Sequence, residues 1–239
     1  MDDYELKSLT ILFLTNKTLH EARISNQYRL DAITELSDDY RLKMKNISLT
    51  PLDEQLNAIR DEIYNILILS HEYLDFLSKY QSINLYDAAE IIVEIGDIQR
   101  FKNRGCFISY AGLAPVDKKN NKVYKVSKYK KGIHVANKRY DSIDYCENLK
   151  VCLTRCAQKI IQNENNEYKQ LYDDKIKYYH LKHPKYSPKR LHFMALKQVT
   201  IKFAKEVYKN FIEIKKIEDY EKKEYENDTN MSVLKKVIL

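Results

Sequence analysis

Apolar residues recur along this chain at the spacing of helices. Leu6, Leu9, Leu12, Phe13 and Leu14 give residues 3–20 an apolar side, and Tyr28, Leu30, Ile33, Leu36, Tyr40 and Met44 extend the pattern over 26–46. The most regular stretch follows. Leu52, Leu56, Ile59, Ile63, Ile66, Ser70, Tyr73, Leu77 and Tyr80 alternate in steps of four and three. A 3.5-residue period held this long is the seam of a coiled coil. One long helix of an intramolecular bundle shows similar spacing, so both readings stand. Thr50, Pro51, Asp53 and Glu54 supply the start signal, and Ser70 is a small polar defect on the seam.

Leu85 to Ile95 predicts a short apolar helix ended by Gly96. Gly105 and Gly112 fall close together before Pro115, which predicts backbone that must turn or approach something closely. Residues 141–165 and 166–181 predict amphipathic helices. A firm helix is expected from Pro188 to Ile212, with Leu196, Val199, Phe203, Val207 and Phe211 on one face. From Glu213 the text is charge-mixed, ends in a small apolar patch, and reads as a partly disordered tail.

Composition narrows the fold class. The 239 residues include only four Gly and four Pro, where average usage gives roughly 17 and 12. Sandwiches, barrels and doubly wound sheets need those residues at their turns. The expected fold is all-α: a long coiled-coil helix followed by a compact helical domain with a basic loop. No apolar run reaches the roughly 18 residues of a membrane span, and acidic residues precede the short stretch Leu9 to Leu14, so no signal peptide is expected. A cytoplasmic location and no membrane partner follow as expectations. Cys152 and Cys156 share a helix face and, with Cys106 and Cys146, read as buried thiols of a reducing compartment. No CxxC pair accompanies them, His180 and His183 read as a solvated helix end, and no metal is assigned to either group.

Charge is unevenly placed. Nine basic residues lie between Lys118 and Arg139 (Lys118, Lys119, Lys122, Lys125, Lys128, Lys130, Lys131, Lys138 and Arg139), with no acid among them. Without them the net charge of +7 becomes −2. Tyr124, Tyr129 and His134 are interleaved, and such rings stack on bases. The segment therefore reads as a nucleic-acid contact. A solvated lysine-rich loop is the alternative in a chain this rich in Lys, Asn and Tyr.

Two central stretches resemble a known family. Glu94-Ile95-Gly96-Asp97-Ile98 with Phe101, then Tyr110-Ala111-Gly112-Leu113-Ala114-Pro115, are similar to a signature in the C-terminal domain of the Piv-like DEDD insertion-sequence transposases, some of them guided by a bridge RNA. The Lys189–Tyr208 region and the Leu19–Ile24 stretch also sit where that family has similar text. The resemblance covers roughly residues 2–210. It implies four domains: 1–23 as the end of a RuvC-like domain, 24–83 as a coiled-coil linker, 84–212 as the C-terminal transposase domain and 213–239 as a charged tail.

In that family a RuvC-like domain supplies four acidic ligands for Mg2+ and the C-terminal domain supplies a nucleophilic serine. Paired divalent ions stabilise attacking and leaving oxygens at phosphorus, which is why carboxylates must cluster. A serine can hold the cut end covalently while strands exchange. This chain departs from the pattern in three places. It begins near the last acid of the tetrad, a position Asp2 represents, so no cofactor is expected in this chain alone. After Pro115 the family's serine–glycine run is replaced by Lys119-Asn120-Asn121, leaving Ser127 as either the nucleophile or a plain surface serine. The family's glycine hairpin appears as Ser82-Ile83-Asn84-Leu85-Tyr86.

Three functions remain. The first is a transposase acting in strand exchange. The second is a truncated derivative that binds DNA or RNA without cutting it. The third is an assembly module whose seam makes homo-oligomers or recruits, and inhibits, a full-length transposase.

Overall fold

The computed structural model describes residues 1, 3–33, 37–114, 145–162 and 166–238, the side chains of 225–238 excepted. Among the described residues there are eight α-helices and no strand, and no helix is long and apolar enough to cross a membrane. The fold is all-α. Its chain divides into two compact units, residues 1–79 with 84–93, and residues 80–83 with 94–239.

In the first unit, α1 (Asp3–Ala32), α2 (Asp38–Ser48) and α3 (Thr50–Leu67) pack against one another. With no Gly or Pro to interrupt it, α1 runs unbroken through the 20–26 region where the apolar pattern suggests a pause. Leu9 and Leu30 of α1 are buried, as are Leu49 and Leu56, Ile63 and Leu67 of α3. Arg23 and Asp53 join α1 to α3 by an ion pair. Buried Asn16 donates to the Tyr86 hydroxyl at 3.3 Å, and Arg60 donates to the same oxygen at 3.0 Å.

The seam of steps four and three does not form one helix. Pro51 sits in the first turn of α3 as expected, but the helix stops at Leu67. The amides of Leu69 and Ser70 turn back to the Ile66 and Leu67 carbonyls at 3.2 and 3.0 Å. Ser70, 2% exposed, accepts the Tyr73 amide on its hydroxyl at 3.2 Å and so starts a new segment. A π-helical turn (Glu72–Phe76) and a 3-10 turn (Leu77–Lys79) follow. A serine competing for backbone amides diverts the chain at the position that reads as a seam defect.

α4 (Leu85–Ile95), which belongs to the first unit as far as Val93, has the bounds that the sequence leads one to expect. The second unit continues with a 3-10 turn (Ile98–Arg100), α5 (Arg104–Tyr110), α6 (Glu147–Ile160), α7 (Glu167–Lys182) and α8 (Pro188–Ile238). α8 packs against α5, α6, α7 and the 3-10 turn. Its face of Leu196, Val199, Phe203, Val207 and Phe211 is buried, and so are Leu149, Cys152, Leu153, Cys156 and Ile160 of α6. Cys152 and Cys156 are fully buried and form no disulfide. α8 extends to Ile238 rather than ending near Ile212. No Gly or Pro stops it, and i,i+3 and i,i+4 pairs such as Lys215–Glu218 at 3.0 Å support its continuation.

Asn166 joins α6 to α7 by donating to the Ile160 carbonyl at 2.6 Å and accepting the Lys169 amide at 2.7 Å. Within the same unit, Tyr168 donates to Glu206 at 2.5 Å and Tyr80 reaches both, at 3.2 Å to Tyr168 and 3.3 Å to Glu206. Burial and the Glu206 carboxylate push the Tyr80 phenol up to about 12 and raise Tyr168 as well. A phenol held neutral in the folded state contributes stability below its ordinary pKa near 10, and that stability is lost as pH rises past it. Unfolding free energy is expected to fall by about 1.4 kcal/mol per pH unit per tyrosine between roughly pH 10 and 12. Urea midpoints across that range check it, and Tyr168→Phe should flatten the slope.

Candidate functional site at the base of the basic segment

The two motifs singled out in the sequence are built as chain terminators. At the end of α4, Gly96 adopts φ +59, the left-handed conformation that closes a helix. Asp97 then caps the 3-10 turn by accepting the Gln99 amide at 2.8 Å. Ile98 and Phe101 are buried, with Phe101 edge-on to Phe107 at 5.3 Å between ring centroids. Orphan carbonyls at a helix end need donors. The Glu94 carbonyl receives them from Arg100 at 3.2 Å and the Tyr110 hydroxyl at 3.4 Å. The Arg100 guanidinium lies against the rings of Phe101 and Tyr110, 4.8 and 4.7 Å from their centroids.

The second motif closes α5 in a Schellman motif. Leu113 donates to the Ile108 carbonyl at 3.0 Å and Gly112 to that of Ser109 at 3.0 Å, with Gly112 at φ +64. A Cβ at Gly112 would stand 2.5 Å from the Tyr145 ring. This glycine is required twice, for its backbone angle and for the ring beside it. Gly105, by contrast, is an ordinary member of α5.

These contacts bring together the two ends of the stretch 115–144. The Cys146 amide donates to the Tyr110 carbonyl at 2.7 Å. Its thiol donates to Glu94 at 3.0 Å, and Asn148 donates to the other oxygen of that carboxylate at 2.9 Å. The Cys146 sulfur also accepts the Leu149 amide at 3.4 Å and so caps α6. Burial, then the neighbouring Glu94, pushes the thiol up to about 11, and burial raises the Tyr110 phenol. A neutral thiol is a poor nucleophile and a poor metal ligand. The cluster is thus a clamp that fixes where the chain leaves the helical body and where it returns.

Asp2, Lys118, Lys119, Lys122, Tyr124, Lys125, Ser127, Lys128, Tyr129, Lys130, Lys131, Lys138 and Arg139 lie outside the described residues. Among the described residues no group of three or more His, Cys, Asp or Glu side chains converges to hold a metal. Sequence reasoning missed the partners of Glu94. Cys146 and Asn148 are 52 and 54 positions away, with no spacing signal to join them. Glu94 itself stands in the quoted motif.

Comparison with known proteins adds one match. Residues 75–173 match the family described as Transposase IS116/IS110/IS902, a span that contains both motifs and every residue of the clamp. No curated protein matches the chain.

Proposed function

We propose, from the match of residues 75–173 to the Transposase IS116/IS110/IS902 family, that this transposase-family protein binds DNA or RNA through residues 118–139. Within it, residues 84–212 act as the C-terminal transposase domain and 24–83 as a helical linker to partner chains. The observation that carries the reading is the clamp. Glu94, Tyr110 and Gly112, all within the family motifs, hold the residues that flank an acid-free run of nine cations. A body that invests its motif residues in anchoring those ends gains most if the segment between them does the work.

In strand exchange, Ser127 would supply the oxygen that attacks phosphorus, the leaving hydroxyl departing with a proton. The carboxylates for two Mg2+ ions would come from a RuvC-like domain, as in the family that the motifs resemble. The third function also has support. Ile11, Leu14, Ile24 and Tyr28 of α1 are exposed by 43–71%, an apolar allotment suited to another helix.

The test is titration of a duplex by fluorescence anisotropy at roughly 50 to 200 mM salt, where about six phosphate contacts give a log–log slope near −5. Reversing Lys125, Lys128 and Lys130 to Glu should reduce the slope by about 3 and weaken binding about 100-fold, with the thermal unfolding midpoint unchanged. Binding insensitive to salt would overturn the reading. A reversed variant that no longer binds the duplex but still forms mixed oligomers with a full-length transposase would favour the assembly role.

A further inference from the structure

A second acid-free stretch lies entirely among the described residues. From Lys175 to Lys205 there are nine basic residues and no Asp or Glu. With both basic stretches set aside, the remaining residues carry −11. The rest of the chain is therefore net acidic, and the excess of positive over negative charge comes from these two stretches.

Six of these cations, Lys175, Lys177, Lys182, Lys185, Lys189 and Arg190, surround the corner where α7 hands over to α8. Elsewhere in this unit lysines find acids: Lys169 pairs with Asp173 at 3.1 Å and Lys202 with Glu167 at 2.6 Å. At the corner no carboxylate pairs with any of the six among the described residues. Five are exposed and Lys175 is half-buried.

Rings fill the space between the charges. His183 stacks on Tyr186 with centroids 4.7 Å apart and planes 9° from parallel, Tyr179 stacks on His183 at 6.4 Å, and the Arg190 guanidinium covers the Tyr186 ring at 3.7 Å. Lys182 donates to the Tyr178 hydroxyl at 2.9 Å. The turn that carries this column is fixed by backbone bonds from His183 to Tyr179 at 2.8 Å, Tyr186 to His183 at 3.0 Å and Arg190 to Ser187 at 2.9 Å. Pro184 and Pro188 restrict the backbone further.

We infer that the α7–α8 corner is a second nucleic-acid surface, one that takes an unpaired strand. Concentrated, unpaired cations recognise phosphates through counterion release. A preformed column of rings capped by a guanidinium holds the Arg190 plane as an outer face on which a base can stack, and only an unpaired base can reach it. A duplex would meet the lysines alone. The corner lies beyond the residues that match the transposase family and does not depend on residues 118–139.

Anisotropy titrations of the full chain with labelled oligo-dT, oligo-U and a duplex, each of roughly 20 units, test the inference. Lys182→Gln with Lys185→Gln and Arg190→Gln should lower the single-strand salt slope by about 2. Tyr186→Leu should weaken single-strand binding about tenfold and leave duplex binding within about twofold. Both effects should persist when Lys125, Lys128 and Lys130 are reversed. If oligo-U is held more tightly than oligo-dT by the wild type but not by Tyr186→Leu, the strand is RNA; equal affinities assign the corner to unpaired DNA as well. The charge variant keeps the test sound should Tyr186→Leu unfold the protein. Equal losses for single strands and duplex with Tyr186→Leu, or no loss with either variant, overturn the inference. In the latter case a loss on reversing the basic segment leaves the proposed function intact.

Discussion

Phe203→Ala is expected to destabilise the protein by about 3–5 kcal/mol, read from the urea midpoint by circular dichroism. The ring is fully buried and meets Tyr80 and Tyr168 edge-on, at 5.5 and 6.3 Å between centroids. Truncation removes its transfer free energy and leaves a cavity that α6, α7 and α8 cannot close without moving their backbones. It also removes the wall behind Tyr80, Tyr168 and Glu206. Water entering there would lower both phenol pKa values toward normal, so the loss of stability above pH 10 should become shallower in the variant. Phe193→Ala on the same helix is the control: that ring is 55% exposed, and its loss should cost less than about 0.5 kcal/mol.

Gly112→Ala is the second large effect, about 2–5 kcal/mol. An alanine held at φ +64 costs about 1–2 kcal/mol, and its Cβ would meet Tyr145 at 2.5 and 2.9 Å, an overlap worth about 1–3 kcal/mol. Tyr145 can escape only by turning away, which breaks its contact with the Lys150 ammonium at 4.8 Å. Gly96→Ala separates the two contributions. Gly96 has φ +59 with nothing within 4 Å of a new Cβ, so only the backbone cost remains, about 1–2 kcal/mol. In the Gly112→Ala background, Tyr145→Ala should recover the steric part. If the two glycine variants destabilise equally, Tyr145 does not press on Gly112.

Local signals were easy to read and distant ones were not. The bounds of α4 follow from a short apolar run and one glycine, and the buried face of α8 from 3.6-residue spacing. The break after Leu67 escaped a reading based on periodicity, because the Ser70 hydroxyl bonds the Tyr73 amide without disturbing the steps of four and three. The full length of α8 escaped for the opposite reason. A mixed-charge text resembles a disordered tail, yet lysine–glutamate pairs one turn apart sustain a helix. Of the candidate site, the motif halves were legible as text, while their junction through Glu94, Cys146 and Asn148 was not. Nothing in a linear pattern joins a carboxylate to a thiol across a stretch of unrelated sequence. The six cations at the α7–α8 corner are spread over two helices and a turn, and only the fold gathers them around one corner.

Because the Cys146 amide meets the Tyr110 carbonyl, the stretch between them is closed by the body itself, whatever its length. Doubling its length would add only about 0.6 kcal/mol of closure entropy. An insertion there would be tolerated at the anchor points, because the hydrogen bond between Tyr110 and Cys146 fixes the ends whatever lies between them.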